Sequence, residues 1–250
     1  MPERPRILVI DPHPDDESFY WGGTMAKYTQ MGADINLLVL SNGEKGKTAF
    51  AQGERILARN VEPNEEHQFA ELRQKECFRA AENLGIKKEK IEFAELPNLG
   101  INQNALQIIA NSMIRLDPHV VISFDETGTS RPTNEDHSWA GIATFAAIRL
   151  LLEKEYGNLE PGTEKEVSFP PNSSFKRLLT YNLPHINKFL AEFATFNLPD
   201  EDLTLVDVSG FLKTKIKLVG LTKHKHTYTN IFLPWNFYPT LSKHFTNGLV

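Results

Sequence analysis

The stretch ILVIDPHPDDESFYWGG, residues 7–23, sets Asp11, His13, Asp15, Asp16 and Glu17 directly behind the apolar run Ile7–Ile10. An imidazole among carboxylates is a donor set suited to a divalent cation. Pro12 and Pro14 stiffen the turn and lower the entropy cost of fixing those side chains. A plainer account is a proline-rich turn whose aspartates cap the following helix, where negative charge is favoured. That account uses one carboxylate and leaves His13 and the second aspartate unexplained. His13 and Asp16 together would hold an ion poorly, because a catalytic zinc usually takes three protein ligands. The candidate third is His137, which opens a helix after the strand and polar loop of VVISFDETGTSRPTNEDHSWAG, residues 120–141.

The elements that must bring these residues together alternate along the chain. Ile7–Ile10, Ile35–Leu40, Ile91–Ala94, Val120–Phe124, Leu178–Tyr181 and Thr204–Val208 read as strands. Ser18–Met31, Asn104–Leu116, Glu135–Glu153 and a segment after Ser209 read as helices. Glu66–Leu84 is a longer helix, with Phe69, Leu72, Cys77, Ala80, Ala81 and Leu84 at helical spacing and Gly85 as its stop. Apolar runs without alternation mark strands buried on both faces, and strand–helix alternation implies a parallel sheet. The expected fold is a Rossmann-like three-layer α/β/α sandwich with a mostly parallel sheet. In strand order 3-2-1-4-5 the strands at Ile7 and Val120 are neighbours. Their carboxyl ends then flank the crevice where such sheets bind ligands, and His13 meets His137 there. Ser41–Asn64 reads as a long loop with room for one short helix. Gly157–Ser174 reads equally well as a lid or a solvated insertion.

Composition narrows the class. Of 250 residues 40% are apolar, enough for one sizeable core, and a single domain over residues 1–250 is expected. The net charge of -5 gives no support to nucleic-acid binding, which needs clustered Lys and Arg. The single cysteine, Cys77, excludes a disulfide framework and suits a reducing compartment. The opening MPERPRILVI is too polar for a signal peptide, and no apolar run approaches the ~20 residues of a membrane span. These features lead to the expectation of a cytoplasmic protein without a membrane span.

PHPDDE after the first strand, paired with NEDH after a later one, resembles the PIG-L (LmbE-like) family of zinc-dependent N-acetylglucosaminyl deacetylases. LRQKECFRAAENLGI, residues 72–86, is similar to the family's R-x-x-E-x-x-x-A-x-x-x-L-G helix. VDVSGFLKTKIKLVGLTKHKHT resembles its late helix ending in histidine. The resemblance implies that His13, Asp16 and His137 hold the metal, zinc by preference, with iron(II), cobalt or nickel also suited to the donor set. It implies that Asp15 is the general base toward the attacking water and that Asp136 is an outer partner in the catalytic crevice. The implied substrate is a small N-acetylated sugar. The aromatic-rich tail, residues 226–250, then reads as packing, a homo-oligomer interface or a sugar-binding wall.

The chain departs from the family pattern at Asn134, where relatives carry the first histidine of H-P-D-H, and at Asn98, where many carry Asp. His224 or His226 is the candidate to supply an imidazole in its place. Asn134 also keeps a second expectation in play, a metal- and sugar-binding protein that has lost turnover. A rival from another class is an NTPase: Gly46-Lys47-Thr48 follows a strand, and VVISFDE reads as a Walker B strand ending in Asp125. Ser41 stands where a P-loop needs its first glycine, which argues against it.

Overall fold

The computed structural model describes residues 3–52, 55–96, 103–124, 135–153, 172–181 and 209–211, with 213, 214 and 217. Its sheet runs β1 (Arg6–Asp11), β2 (Asp34–Val39), β5 (Ile91–Phe93), β6 (Val120–Phe124) and β7 (Arg177–Tyr181), ordered β5-β2-β1-β6-β7 and parallel throughout. Counted along the sheet alone this is the expected 3-2-1-4-5 order. The β1–β6 register, Ile7↔Val120 through Val9↔Ile122, makes the two site-bearing strands direct neighbours.

The helices are α1 (Gly22–Gln30), α2 (Glu66–Asn83), α3 (Gln103–Leu116) and α4 (Glu135–Glu153). Both faces of the sheet are covered, which is why the strands are apolar without alternation. Leu8, Ile10, Leu38 and Val121 pack with Ile109 and Met113 of α3 and Ala143 and Leu151 of α4. Ile7, Val9, Leu37, Ile122 and Phe124 pack on the other face with Met25 of α1 and Cys77, Ala80 and Ala81 of α2. Asp117, at φ +42, ties the amino end of the sheet together. Its carboxylate accepts from Arg6, the Ser173 hydroxyl and the Ser174 amide, so β1 and β7 enter from one anchor.

Three expectations fail. Residues 41–64 are not a loop with a helix, because they carry an antiparallel hairpin, β3 (Lys47–Gln52) and β4 (Arg55–Asn60). Its pairs include Thr48↔Arg59, Phe50↔Leu57 and Ala51↔Ile56. Alanines and charges hide the alternation, and a pair standing apart from the main sheet needs no continuous apolar run. The hairpin also removes the P-loop reading, since Gly46-Lys47-Thr48 enters a strand and a phosphate loop must open a helix. Finally, Leu72 is 43% exposed, and the buried stripe of α2 runs instead through Phe69, Arg73, Glu76, Cys77 and Ala80. The expected strand Thr204–Val208, the segment 157–171, Asn98, Asp125, Asn134, His224, His226 and the tail lie outside the described residues. Among the described residues no helix is long and apolar enough to cross a membrane.

Candidate metal centre

β1 ends at Asp11 and the chain turns through Pro12–Asp16 into a π-helical turn, Glu17–Trp21, before α1 begins. The expected single helix Ser18–Met31 therefore starts one residue earlier and in a wider form. π-turns are rare and gather at functional sites. Ser18 and Phe19 both donate their amides to the Asp15 carbonyl, at 3.0 and 3.1 Å. Asp16 occupies the cap position but makes no capping hydrogen bond. Its Oδ2 instead faces the His13 amide (3.1 Å), His13 Nδ1 (3.0 Å) and His137 Nε2 (3.3 Å). The helix-cap account of this carboxylate is thereby overturned.

His13, Asp16 and His137 offer one ligand atom each, all within 4.8 Å of one another. Donors sharing an ion at ~2.0–2.2 Å stand roughly 3–3.5 Å apart, so two imidazole nitrogens at 3.0 and 3.3 Å from one carboxylate oxygen fit a single divalent ion. His137 arrives from the first turn of α4, and its ring is fixed by Phe124 at the end of β6, stacked at 4.3 Å between centroids. Tyr20 meets the same ring edge-on at 5.5 Å. Asp136, the residue before it, accepts or shares a proton with His13 Nε2 at 2.8 Å. That contact leaves Nδ1 as the His13 atom turned toward Asp16, the arrangement by which an outer carboxylate orients a metal-binding histidine.

Electrostatics separates the carboxylates. Burial raises the Asp16 carboxyl, but the charge on His137 and the His13 hydrogen bond more than reverse it, holding it well below the usual range. Burial alone would lower His13; the hydrogen bonds its ring donates to Asp136 and Asp16 raise it to about 9. Asp11 is pushed well up by burial and then by Asp16 and Glu17, and its Oδ1 accepts from the Trp21 indole at 2.7 Å. Glu17 is pushed up to about 7, by burial first and Asp15 next, and accepts from the Ser18 hydroxyl. Three of the four carboxylates thus separate: Asp16 is held ionised before two imidazoles, while burial disfavours the charge on Asp11 and Glu17.

Asp15 stands outside the three-residue group. Its carboxylate is fully buried and lies 2.8 Å from Nη2 of Arg73, itself 3% exposed. In the sequence Arg73 stands as the arginine of the R-x-x-E helix pattern, with no partner assigned to it. A signal was present: Arg73 and Glu76 fall on the same stripe of α2 as Phe69, Cys77 and Ala80, where a charge is out of place unless it has a buried partner.

A parallel sheet with a His₂-carboxylate group at its carboxyl edge, beside a second buried carboxylate, defines an open α/β fold with a donor set able to hold a divalent ion. Residues 8–148 match the PIG-L family model, described as GlcNAc-PI de-N-acetylase, and the chain belongs to that family. It is 24% identical over 245 residues to a 1D-myo-inositol 2-acetamido-2-deoxy-alpha-D-glucopyranoside deacetylase of Thermomonospora curvata, covering 88% of this chain and 80% of that one. Across the curated relatives it matches, the chain spans 55% to 80% of their length, and less than two thirds of most. Among solved structures it is similar to an N,N'-diacetylchitobiose deacetylase from Pyrococcus horikoshii (TM-score 0.66, 20% identity, 88% of this chain and 70% of that one). It is also similar to a 4-carboxy-2-hydroxymuconate hydratase from Pseudomonas putida KT2440 (TM-score 0.60, 22% identity, 91% and 84%). At these identities the structural likeness shows the fold alone.

Proposed function

We propose that this chain is a metal-dependent hydrolase that removes the acetyl group from an N-acetylglucosamine-type conjugate or a related small amide. The observation that carries the reading is the convergence of His13, Asp16 and His137 at the carboxyl edge of the sheet. Membership of a family described as a de-N-acetylase supports the acetamide, and the deacetylase among the curated relatives supports the amino sugar. A divalent ion in such a site polarises an amide carbonyl and brings the pKa of water to about 7. Zinc suits the donor set best, and iron(II), cobalt and nickel also fit it.

The chain's own residues divide the remaining work. Asp136 holds the His13 ring through Nε2. Asp15 takes a proton from the attacking water as the new C–O bond forms. It returns that proton to the nitrogen as the C–N bond breaks, releasing acetic acid and the free amine, which become acetate and ammonium at neutral pH. Asn134 donates its amide N–H to the oxyanion but cannot transfer a proton at neutral pH. His224 is the second candidate for the acid, ahead of His226. The lone cysteine, Cys77, is buried and supports placing the protein in the cytoplasm, acting as one domain on a small molecule.

Asn134 also favours a second reading, a sugar- and metal-binding protein without turnover, and the hydratase shows that the fold is not tied to amide cleavage. Acetate release from a panel of acetamido sugars, with metal saturated, separates the readings. The expected result is turnover in the parent protein. Asn134→Ala should lower kcat by about 10²-fold, the low end for a lost oxyanion donor, with metal content unchanged. His224→Ala should have a much smaller effect than Asp15→Asn. Unchanged kcat in Asn134→Ala removes that residue from the mechanism, and no turnover by the parent favours the binding-only reading.

A further inference from the structure

His13 and Asp16 come from one short turn, but His137 arrives from α4 and must be aimed at them. The outer torsion of a histidine side chain is soft, so its own bonds do not fix the plane of the ring. We propose that Tyr20 is a positioning residue for the metal centre: with Phe124 it forms a two-sided aromatic seat that holds the His137 ring with Nε2 turned toward Asp16.

The two walls of the seat differ in orientation. Phe124, fully buried at the end of β6, lies nearly parallel to the imidazole, with centroids 4.3 Å apart and planes at 22°. Tyr20 lies nearly perpendicular to it, at 5.5 Å and 87°. A parallel stack alone leaves a ring free to slide within its own plane. A second ring set across that plane blocks the slide on its side. The walls also brace each other, since Tyr20 meets Phe124 at 4.9 Å and 85°, a preferred edge-to-face geometry. In this seat His137 Nε2 stands 3.3 Å from Asp16 Oδ2.

The local backbone accounts for how Tyr20 reaches this place. Glu17–Trp21 is π-helical, and a π-turn holds one more residue than an α-turn, which re-aims the side chains that follow. Its last two residues are the ones delivered. Tyr20 goes to His137, and Trp21 goes to the end of β1, where its indole donates to Asp11 Oδ1 at 2.7 Å. Trp21 also lies 5.7 Å from Phe124 and 6.5 Å from Tyr20, so it backs both walls from a fixed anchor. The segment that opens with Asp16 therefore carries one ligand and the wall that aims another. The two histidines are oriented by different means: a carboxylate meets His13 at Nε2, whereas the seat acts on the plane of the His137 ring.

This assignment rests on the metal centre of the proposed hydrolase, and its test reads metal and ring without using turnover. Co(II) is titrated into the metal-free parent, Tyr20→Phe, Tyr20→Leu and Tyr20→Met. The imidazole proton–carbon NMR signals of His137 and His13 are followed beside it, assigned by their loss in His137→Ala and His13→Ala. Tyr20→Phe keeps the ring and should match the parent's affinity within about twofold. Tyr20→Leu should bind Co(II) about tenfold more weakly, the low end for loss of a group that orients a ligand. In metal-free Tyr20→Leu the His137 signal should move or broaden well beyond any change at His13. A lowered melting temperature with unchanged affinity and an unchanged His137 signal would make Tyr20 merely structural and overturns the proposal. So does an equal change in both histidine signals, which would place the effect in the shared turn, or a Tyr20→Phe as weak as Tyr20→Leu, which would place it in the hydroxyl. If Tyr20→Leu does not fold, Tyr20→Met decides by the same measures, since it fills the space with a flexible chain and no ring. A parent that binds no Co(II) overturns the metal centre and this assignment with it. A parent that binds Co(II) about tenfold more tightly than Tyr20→Leu supports the assignment even where it releases no acetate, a result that overturns only the hydrolase reading.

Discussion

Asp15→Asn is expected to retain one bound metal ion and to lose turnover by roughly 10²–10⁴-fold, the range for removal of a general base. The substitution keeps the shape of the side chain and removes its ability to take a proton at neutral pH. Metal should stay because His13, Asp16 and His137 form a group of converging ligand atoms to which Asp15 does not belong. The loss should fall on kcat, since the carboxylate is spent in the chemical step and not in holding the ground state. The neutral amide also leaves Arg73 as a buried cation without its carboxylate partner, so some loss of thermal stability should accompany the kinetic effect. Elemental analysis beside steady-state kinetics makes the distinction. Loss of the metal in Asp15→Asn would make Asp15 a ligand and reverse the roles of the two aspartates.

His137→Ala and Asp16→Ala should each lose most of their metal and, with it, turnover. The comparison that gives this force is Asp136→Ala. Asp136 meets the His13 ring on the side away from Asp16, and losing such an outer partner costs about 10–100-fold in metal affinity. Removing Asp16 or His137 should cost more than that. Asp16→Ala is the more severe, because the carboxylate faces both imidazoles and their mutual arrangement goes with it. His137→Ala also empties the slot between Phe124 and Tyr20, so its melting temperature must be read beside its metal content. Isothermal titration with zinc gives the ranking. Stoichiometric, undiminished binding by His137→Ala would remove that residue from the centre.

The parts of this account that were legible in the sequence share a cause. β1, β2 and β6 are continuous apolar runs because helices cover both faces of the sheet, and that burial leaves a plain mark. Once β1 and β6 are neighbours, His13 and His137 are carried to one edge by topology, so two residues far apart in sequence are paired by strand order alone. The hairpin β3–β4 left no such mark, since a two-stranded ribbon outside the main sheet mixes alanine and charge. Arg73 was visible as the arginine of the R-x-x-E pattern and as a charge on an apolar stripe, but its partners, Asp15 and Gly43, approach it through tertiary packing that the sequence does not mark. Asp16 was legible as a helix-start acid, but both a cap and a ligand fit that position. Only the direction of its Oδ2 distinguishes them.

The central claim is that one divalent ion, held by His13, Asp16 and His137, is needed for hydrolysis of an acetamide. The direct measurement is acetate release from N-acetylglucosamine conjugates by chelated protein as zinc is added back. The account predicts no release without metal and recovery that saturates at one equivalent of zinc per chain in the parent. It predicts no recovery at that ratio in Asp16→Ala. Acetate release that persists in the chelated protein, or that recovers equally in Asp16→Ala, would contradict it.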